Sequence, residues 1–306
     1  MIIGENLHII SKKTREAIEN RDIDFVLENV KKQVENGVKI IDLNVGPAKK
    51  NLEGSLCWLI DTISKNYDVD FSLDTTNIQE MSAGFGALKN PQNAFFNSTN
   101  ADSEKLNNAL EIVNQYNCNL IALTMQQGNA IAQTPDERLE IAMEINAQTQ
   151  NSGLDNSKLY FDPLVLPVCA AQEQALVALE TIRMLKMSFD PQVKTVIGLS
   201  NISNGSPAEL RPFINQVFFV VAKACGLDCA IADSFDQRLL ELNELIKFQR
   251  CSTEQDEIYI KLYQTVKDFG EIEDIDYNKN STHDKNVIKC ANILLNKEIY
   301  SHSFIS

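Results

Sequence analysis

The chain contains eight short apolar runs, and every one of them stops on a carboxylate, an amide or a hydroxyl. They span 1–6, 38–44, 70–74, 94–97, 119–124, 159–162, 195–201 and 229–233. Their closing residues include Glu5, Asn6, Asp42, Asn44, Asp74, Asn97, Thr124, Asp162, Ser200, Asn201 and Asp233. Short apolar runs bounded by turn-forming residues read as strands buried on both faces. Segments of helical periodicity separate them, and strict alternation of strand and helix demands parallel strands joined by crossovers. Eight such units predict an α/β fold, a (β/α)8 TIM barrel. The strand C-terminal ends of that fold build its active site, so the polar endings are expected to share one rim. Lysine and histidine are almost missing from them. The rim therefore suits a hydrogen-bonding heterocycle better than a metal ion or a histidine base.

The helical segments carry their own punctuation. Residues 23–36 place Phe25, Val26, Val30 and Val34 on one face, and Gly37 follows as a stop. Thr134, Pro135, Asp136 and Glu137 combine a capping hydroxyl, a first-turn proline and two acids set against the helix dipole. A helix is expected from there to Gly153, and others over 55–66, 77–89, 103–116, 172–187, 211–225 and 236–248. The rhythm breaks at 249–285, a polar stretch carrying Asp268, Glu271, Glu273, Asp274 and Asp276. It reads as an insertion near the eighth helix, with a helix over 254–268 and then a loop. A last apolar helix is expected over 287–295. A barrel takes about 250 residues, so the 306 residues of this chain are expected to form a single domain, 1–306, with 249–285 inserted.

Hydrophobic residues make up 44% of the chain and charged residues 23%, as in soluble globular enzymes. No apolar stretch approaches the roughly 18 residues of a membrane span, and the first strand begins at residue 2. No membrane association and a cytoplasmic location are expected. A net charge of −14 argues against nucleic acid, whose binding depends on clustered Lys and Arg. The seven cysteines are scattered, with no Cys-x-x-Cys pair, which fits a reducing compartment. Cys225 and Cys229 would fall at a helix end and a strand start that face different ways, short of four convergent zinc ligands. With His8, His283 and His302 the only histidines, no metal is expected. Glycine-rich phosphate loops are also missing.

Asp74 and Asp162 each follow an apolar run directly. An ionised carboxylate offers two acceptors side by side, which fits a ligand edge with adjacent donors, such as a 2-amino-4-oxo-pyrimidine. Two aspartates on opposite sides of a rim could grip such a ring from both edges, and Asn97 adds a donor and an acceptor. Residues 74–77 could equally start a helix, leaving Asp74 as a local cap. Pro163 and Pro167 would hold a rigid loop beyond Asp162. Ser200, Asn201, Ser203 and Asn204 form a dense amide and hydroxyl cluster before Gly205, which is also what a tight turn uses. An Asn cannot titrate, but it can stabilise charge that develops during a reaction.

Taken in order, Gly4–Asn6, Ile41–Pro47, Leu73–Asn77, Asn97–Asn100, Phe161–Leu164 and Gly198–Ser203 resemble the pterin-binding barrel enzymes. Ala224–Leu227, Ala230–Asp233 and Ile293–Asn296 extend the likeness, which runs over 2–248 and resumes near 287. Within that family the motifs are most similar to the methyltetrahydrofolate:corrinoid/iron-sulfur protein methyltransferases of the acetyl-CoA (Wood–Ljungdahl) pathway. The resemblance implies a pterin-binding TIM barrel that moves the N5-methyl group of methyltetrahydrofolate to Co(I) of a corrinoid. That corrinoid would be carried by a corrinoid/iron-sulfur protein partner. It implies that Asp74, Asn97 and Asp162 hold the pterin ring and that Asn201 approaches N5. Asn204 falls where those enzymes carry a Gln, and Arg211 matches an Arg near the ligand behind a short extra stretch, Gly205 to Ala208. A homodimer is expected on the same ground. Dihydropteroate synthases share the pterin grip but need basic residues after strands seven and eight, where this chain has Ser200, Asn201, Asp233 and Ser234. A tetrahydrofolate methyltransferase of a corrinoid demethylase system and a non-catalytic folate-binding protein are the other readings.

Overall fold

In the computed structural model, which describes residues 1–305, each apolar run forms a strand. β1 (Ile2–His8) leads into two helices, α1 (Lys12–Glu19) and α2 (Ile23–Glu35). The next units are β2 (Ile40–Gly46) with α3 (Ser55–Ser64), β3 (Asp70–Thr75) with α4 (Ile78–Ala87), and β4 (Phe95–Thr99) with α5 (Ser103–Tyr116). They continue as β5 (Asn119–Leu123) with α6 (Pro135–Asn151), β6 (Leu159–Asp162) with α7 (Glu173–Ser188), and β7 (Lys194–Gly198) with α8 (Arg211–Ala224). β8 (Cys229–Ala232) is followed by α9 (Gln237–Phe248), α10 (Asp256–Lys267) and α11 (Thr282–Leu294). The eight strands close into a barrel in chain order. β8 pairs with β1 through Ile2–Ala230, Ile3–Ile231 and Gly4–Ala232.

Local chemistry accounts for the helix ends. Thr134 caps α6 with a reciprocal bond from Glu137, the capping box its sequence announces. Asn77, not Asp74, caps α4, accepting from the N–H groups of Gln79 and Glu80, so Asp74 is left to the rim. α1 lacks a long apolar stripe, and only Ser11, whose hydroxyl accepts from the Thr14 N–H, marks its start. α11 begins at Thr282, ahead of the expected 287, because Ser281 caps it. After β7 the chain turns into a 3-10 segment, Leu199–Ser203, which carries Ser200 and Asn201 off the strand line.

Two apolar layers hold the barrel. Outside, helices pack on the outward faces of the strands in one continuous cluster. Inside, Ile3, Ile40, Phe95, Ile121, Val196 and Cys229 form a plug with Tyr160 and Ile231 against it. The rings of Phe95 and Tyr160 meet edge-on there, centroids 4.9 Å apart. Filling the interior with branched and aromatic side chains makes this a packed core and not a pore. In the 249–285 stretch, α10 packs against α8 and α9. Its Ile258, Tyr259, Leu262 and Val266, with Ile272 and Ile275 beyond it, join the outer cluster. Among the described residues, no helix is long and apolar enough to cross a membrane.

Candidate active site at the strand C-terminal rim

Side chains alternate across a strand, so the residue two places beyond each plug residue also points inward. Above Ile3, Ile40, Phe95, Tyr160 and Ile231 come Glu5, Asp42, Asn97, Asp162 and Asp233. The register lines up a further row. Asn44 pairs with Asp74, and Asp74 with Asn97, across β2, β3 and β4. Hydrogen bonds knit this side of the rim together. The Asn44 amide donates to Asp74 Oδ2, and Asn97 Nδ2 donates to Asp42 Oδ1 at 3.2 Å and to Ser72 Oγ at 3.4 Å.

Asp162 ends β6, beside Leu123 of β5. Its Oδ1 accepts from the Leu164 N–H at 2.7 Å, and its backbone carbonyl accepts from Thr124 N–H and Oγ1 at 3.0 and 3.2 Å. The loop beyond it rests on Arg138, an α6 side chain with no exposed surface. That guanidinium donates to the carbonyls of Ala132, Pro163 and Leu164 and to Gln174 Oε1. A planar five-donor fork can meet so many acceptors at once; a lysine could not.

Asn201 is exposed on the 3-10 segment. A Cβ built on Gly198 would come within 3.0 Å of Asn201 Nδ2, so this glycine makes room for the amide to fold back over the end of β7. Among the described residues, the Asn201 side chain forms no hydrogen bond. Its neighbour Ser200 donates to Glu5 Oε1 across the barrel seam. Asn6 closes that seam, donating to Asp233 Oδ1 at 2.6 Å and accepting from Ser234 N–H and Oγ at 3.0 and 2.6 Å.

Burial above the plug dominates the electrostatics. It pushes the Glu5 carboxyl up to about 7, against the hydrogen bond from Ser200, and Asp42 and Asp162 each to about 6. Asp74 is raised well above its ordinary value by burial and by the charge of Asp42. Desolvation disfavours the charged form, so this rim retains protons at a pH where exposed carboxyls have lost them. Such a rim can accept from a heterocycle through ionised oxygens and also supply a proton.

The sequence-derived residues divide into two groups. Asp74, Asn97 and Asp162 stand at the C-terminal ends of β3, β4 and β6, and Asn201 on the 3-10 segment just after β7, at the same end of the barrel. Asn204 and Arg211 lie farther along the loop into α8. The Asn204 carbonyl accepts from Cys169 Sγ at 3.1 Å, and Arg211 Nε donates to the Ser206 carbonyl at 2.8 Å. The Asn204 N–H donates to the Asn201 carbonyl at 3.2 Å, but among the described residues neither side chain is hydrogen-bonded to the rim side chains. Glu5, Asp42 and Asn44 were visible as strand endings but carried no assigned role. Arg138 had no sequence signal, being one arginine within a helix. Among the described residues, no group of three or more His, Cys, Asp or Glu is arranged to hold a metal ion.

The profile of the pterin binding enzymes matches residues 10–233. The chain belongs to the pterin-binding enzyme family. Relatives of this pterin-binding enzyme include the methionine synthase of Mycobacterium leprae (strain TN), 29% identical over 262 residues that cover 82% of this chain and 21% of the relative. The chain thus spans about a fifth of that relative's length. The methylcorrinoid:tetrahydrofolate methyltransferase of Eubacterium limosum is 26% identical over 235 residues, covering 76% of this chain and 84% of the relative. Among solved structures, a Yersinia pestis dihydropteroate synthase with a pterine-sulfa conjugate superposes with a TM-score of 0.57 at 14% identity. It covers 81% of this chain and 93% of its own. At that identity the likeness speaks for the fold alone.

Proposed function

We propose that this pterin-binding enzyme moves a methyl group between N5 of a tetrahydrofolate and the cobalt of a corrinoid held by a partner protein. The observation that carries the reading is the likeness to the Eubacterium limosum methyltransferase, which extends over most of both chains. The rim agrees with it. Carboxylates and amides suited to a pterin's donor edge surround the mouth, and the strand endings at Ser200, Asn201, Asp233 and Ser234 offer no cation for a pyrophosphate leaving group. In finer detail, methyltetrahydrofolate is the donor and a corrinoid/iron-sulfur protein of the acetyl-CoA pathway is the acceptor. The protein works in the cytoplasm as a homodimer.

In this reading Asp74, Asn97 and Asp162 orient the pterin ring, with Asn204 and Arg211 reaching its outer part. Co(I) attacks the methyl carbon in line, the N5–C bond breaks, and its electron pair stays on nitrogen. A departing amide-like anion would be prohibitively poor, so N5 must first carry a proton and leave as a neutral amine. Asn201 accepts from the N5–H, so it stabilises the protonated form through which transfer runs and not the unprotonated bound folate. The proton comes from the rim. Glu5, bonded to Ser200 next to Asn201, holds one near neutral pH. Positioning and that single hydrogen bond supply most of the rate gain.

The relative's own name, methylcorrinoid:tetrahydrofolate methyltransferase, favours one second reading: the same transfer run from a demethylase's methylcorrinoid towards tetrahydrofolate. The deciding experiment is single-turnover methyl transfer from (6S)-methyltetrahydrofolate to reduced corrinoid, comparing free cob(I)alamin, a corrinoid/iron-sulfur protein and a demethylase corrinoid protein. Methylcobalt formation favouring the corrinoid/iron-sulfur protein is the expected result. Transfer restricted to the demethylase partner would move the assignment to the second reading, and folate binding without transfer to any acceptor would overturn both.

A further inference from the structure

Beside the β1 end of the rim lies a cavity of about 310 Å³, walled by α1, α2 and the loop after β8. Asn6 and His8 form its inner wall. Because Asn6 also closes the seam with Asp233 and Ser234, the cavity is one residue away from the barrel mouth. Its outer wall carries Lys13, Lys32 and a single carboxylate, Glu28. Lys32 Nζ is paired with Glu28 Oε1 at 2.7 Å. Lys13 makes no ion pair among the described residues, and its Nζ stands 5.3 Å from the centre of the Phe25 ring. Among the lining side chains the two lysines against Glu28 leave one surplus positive charge, with the Asp233 carboxylate acting on His8 from the rim side. The whole chain carries −14. His8 Nδ1 is buried without a partner, and Phe235, directly after the rim residues Asp233 and Ser234, is 39% exposed on this wall.

We infer that this cavity binds the glutamate tail of the folate, preferring a chain of several linked glutamates to one. The inference rests on the methyl-transfer reading. A ligand that uses these groups must be anionic, extended and partly apolar. Carboxylates would meet Lys13 and Lys32, and methylenes would lie on Phe25 and Phe235. A compact inorganic anion would leave both phenyl walls unused. A pterin held at the rim would leave its tail free to cross Asn6 into this space.

The test compares equilibrium binding of methyltetrahydrofolate bearing one and three glutamates to the full chain and to Lys13→Glu and Phe235→Ala variants. Partly exposed charge contacts contribute modestly each, so the triglutamate is expected to bind about tenfold tighter. Lys13→Glu should erase that preference while leaving monoglutamate affinity within about twofold, and raised salt should weaken the triglutamate selectively. Equal affinity for both forms, or a preference that survives both substitutions, overturns the tail site and leaves methyl transfer standing. If neither form binds, the functional reading falls and the tail site falls with it.

Discussion

Ser200 joins the two residues on which the proposed chemistry turns: it precedes Asn201 in the chain and its hydroxyl reaches Glu5. Removing the Asn201 amide should cost methyl transfer about 10²- to 10³-fold, the range for losing one preorganised group at a developing charge. Folate affinity should move far less. Single-turnover rates beside equilibrium binding separate the two, and an unchanged rate in Asn201→Ala would remove the residue from the mechanism. Glu5 makes a second prediction, about stability. Its carboxyl rises from 4.5 to about 7 on folding. Below 4.5 it is protonated in both states; between the two values the unfolded chain releases a proton that the native chain keeps. Stability therefore falls as pH rises through that window, by on the order of 3 kcal/mol once pH exceeds the folded value. Glu5→Gln should raise the urea midpoint relative to the parent at about pH 8 and lose that advantage at about pH 4. A gap independent of pH would mean that Glu5 is not held protonated.

At the level of elements, the loop after β6 adjoins Asp162 and the segment after β7 carries Asn201, and both are braced from a distance. Arg138 spans from α6 to the Pro163 and Leu164 carbonyls. Its burial lowers its pKa to about 10, so it stays charged at neutral pH. Replacing it with Met would strip donors from several buried acceptors and should destabilise the fold by about 3 kcal/mol or more. Denaturant unfolding measures this directly; a loss below about 1 kcal/mol would show that water replaces the guanidinium. The C-terminal segment braces the other loop. Gln172 Nε2 donates to the carbonyls of Ile293 and Glu298, and its Oε1 accepts from the Tyr300 N–H at 2.7 Å. Tyr300 Oη bonds Ser206 Oγ at 2.8 Å, in the turn that also holds Arg211. Tyr300→Phe should cost about 1 kcal/mol and speed hydrogen exchange in residues 203–211. Unchanged exchange there would assign the tail no part in holding that loop.

Across the whole molecule, the rim joins strands from opposite sides of a closed barrel, so a ligand gripped by Asp74, Asn97 and Asp162 would tie β3 and β4 to β6. Methyltetrahydrofolate at about 100 times its Kd should then stabilise the native state by about 2.7 kcal/mol. Asp162→Ala should abolish most of the thermal shift; an undiminished shift would place the ligand elsewhere. The barrel itself was legible because it is written locally. Each strand is an apolar run with its own polar ending, most helices carry their own cap or stop, and alternation forces parallel crossovers. Asp74, Asn97 and Asp162 could be read as rim positions for the same reason. α1 and the early start of α11 were missed because each rests on one serine cap and not on an apolar stripe. By itself, then, the sequence determined the fold class, the order of the strands and the polar character of the mouth, all of which follow from short-range periodicity. Only the tertiary structure decided which polar groups meet. It pairs Asn97 with Asp42, Asn44 with Asp74, and Ser200 with Glu5 across 195 residues of chain. It also decided that the rim carboxyls bind protons more tightly than exposed ones, because proton affinity depends on burial above the apolar plug, and burial is set by inter-strand register and barrel closure rather than by any residue's neighbours in sequence.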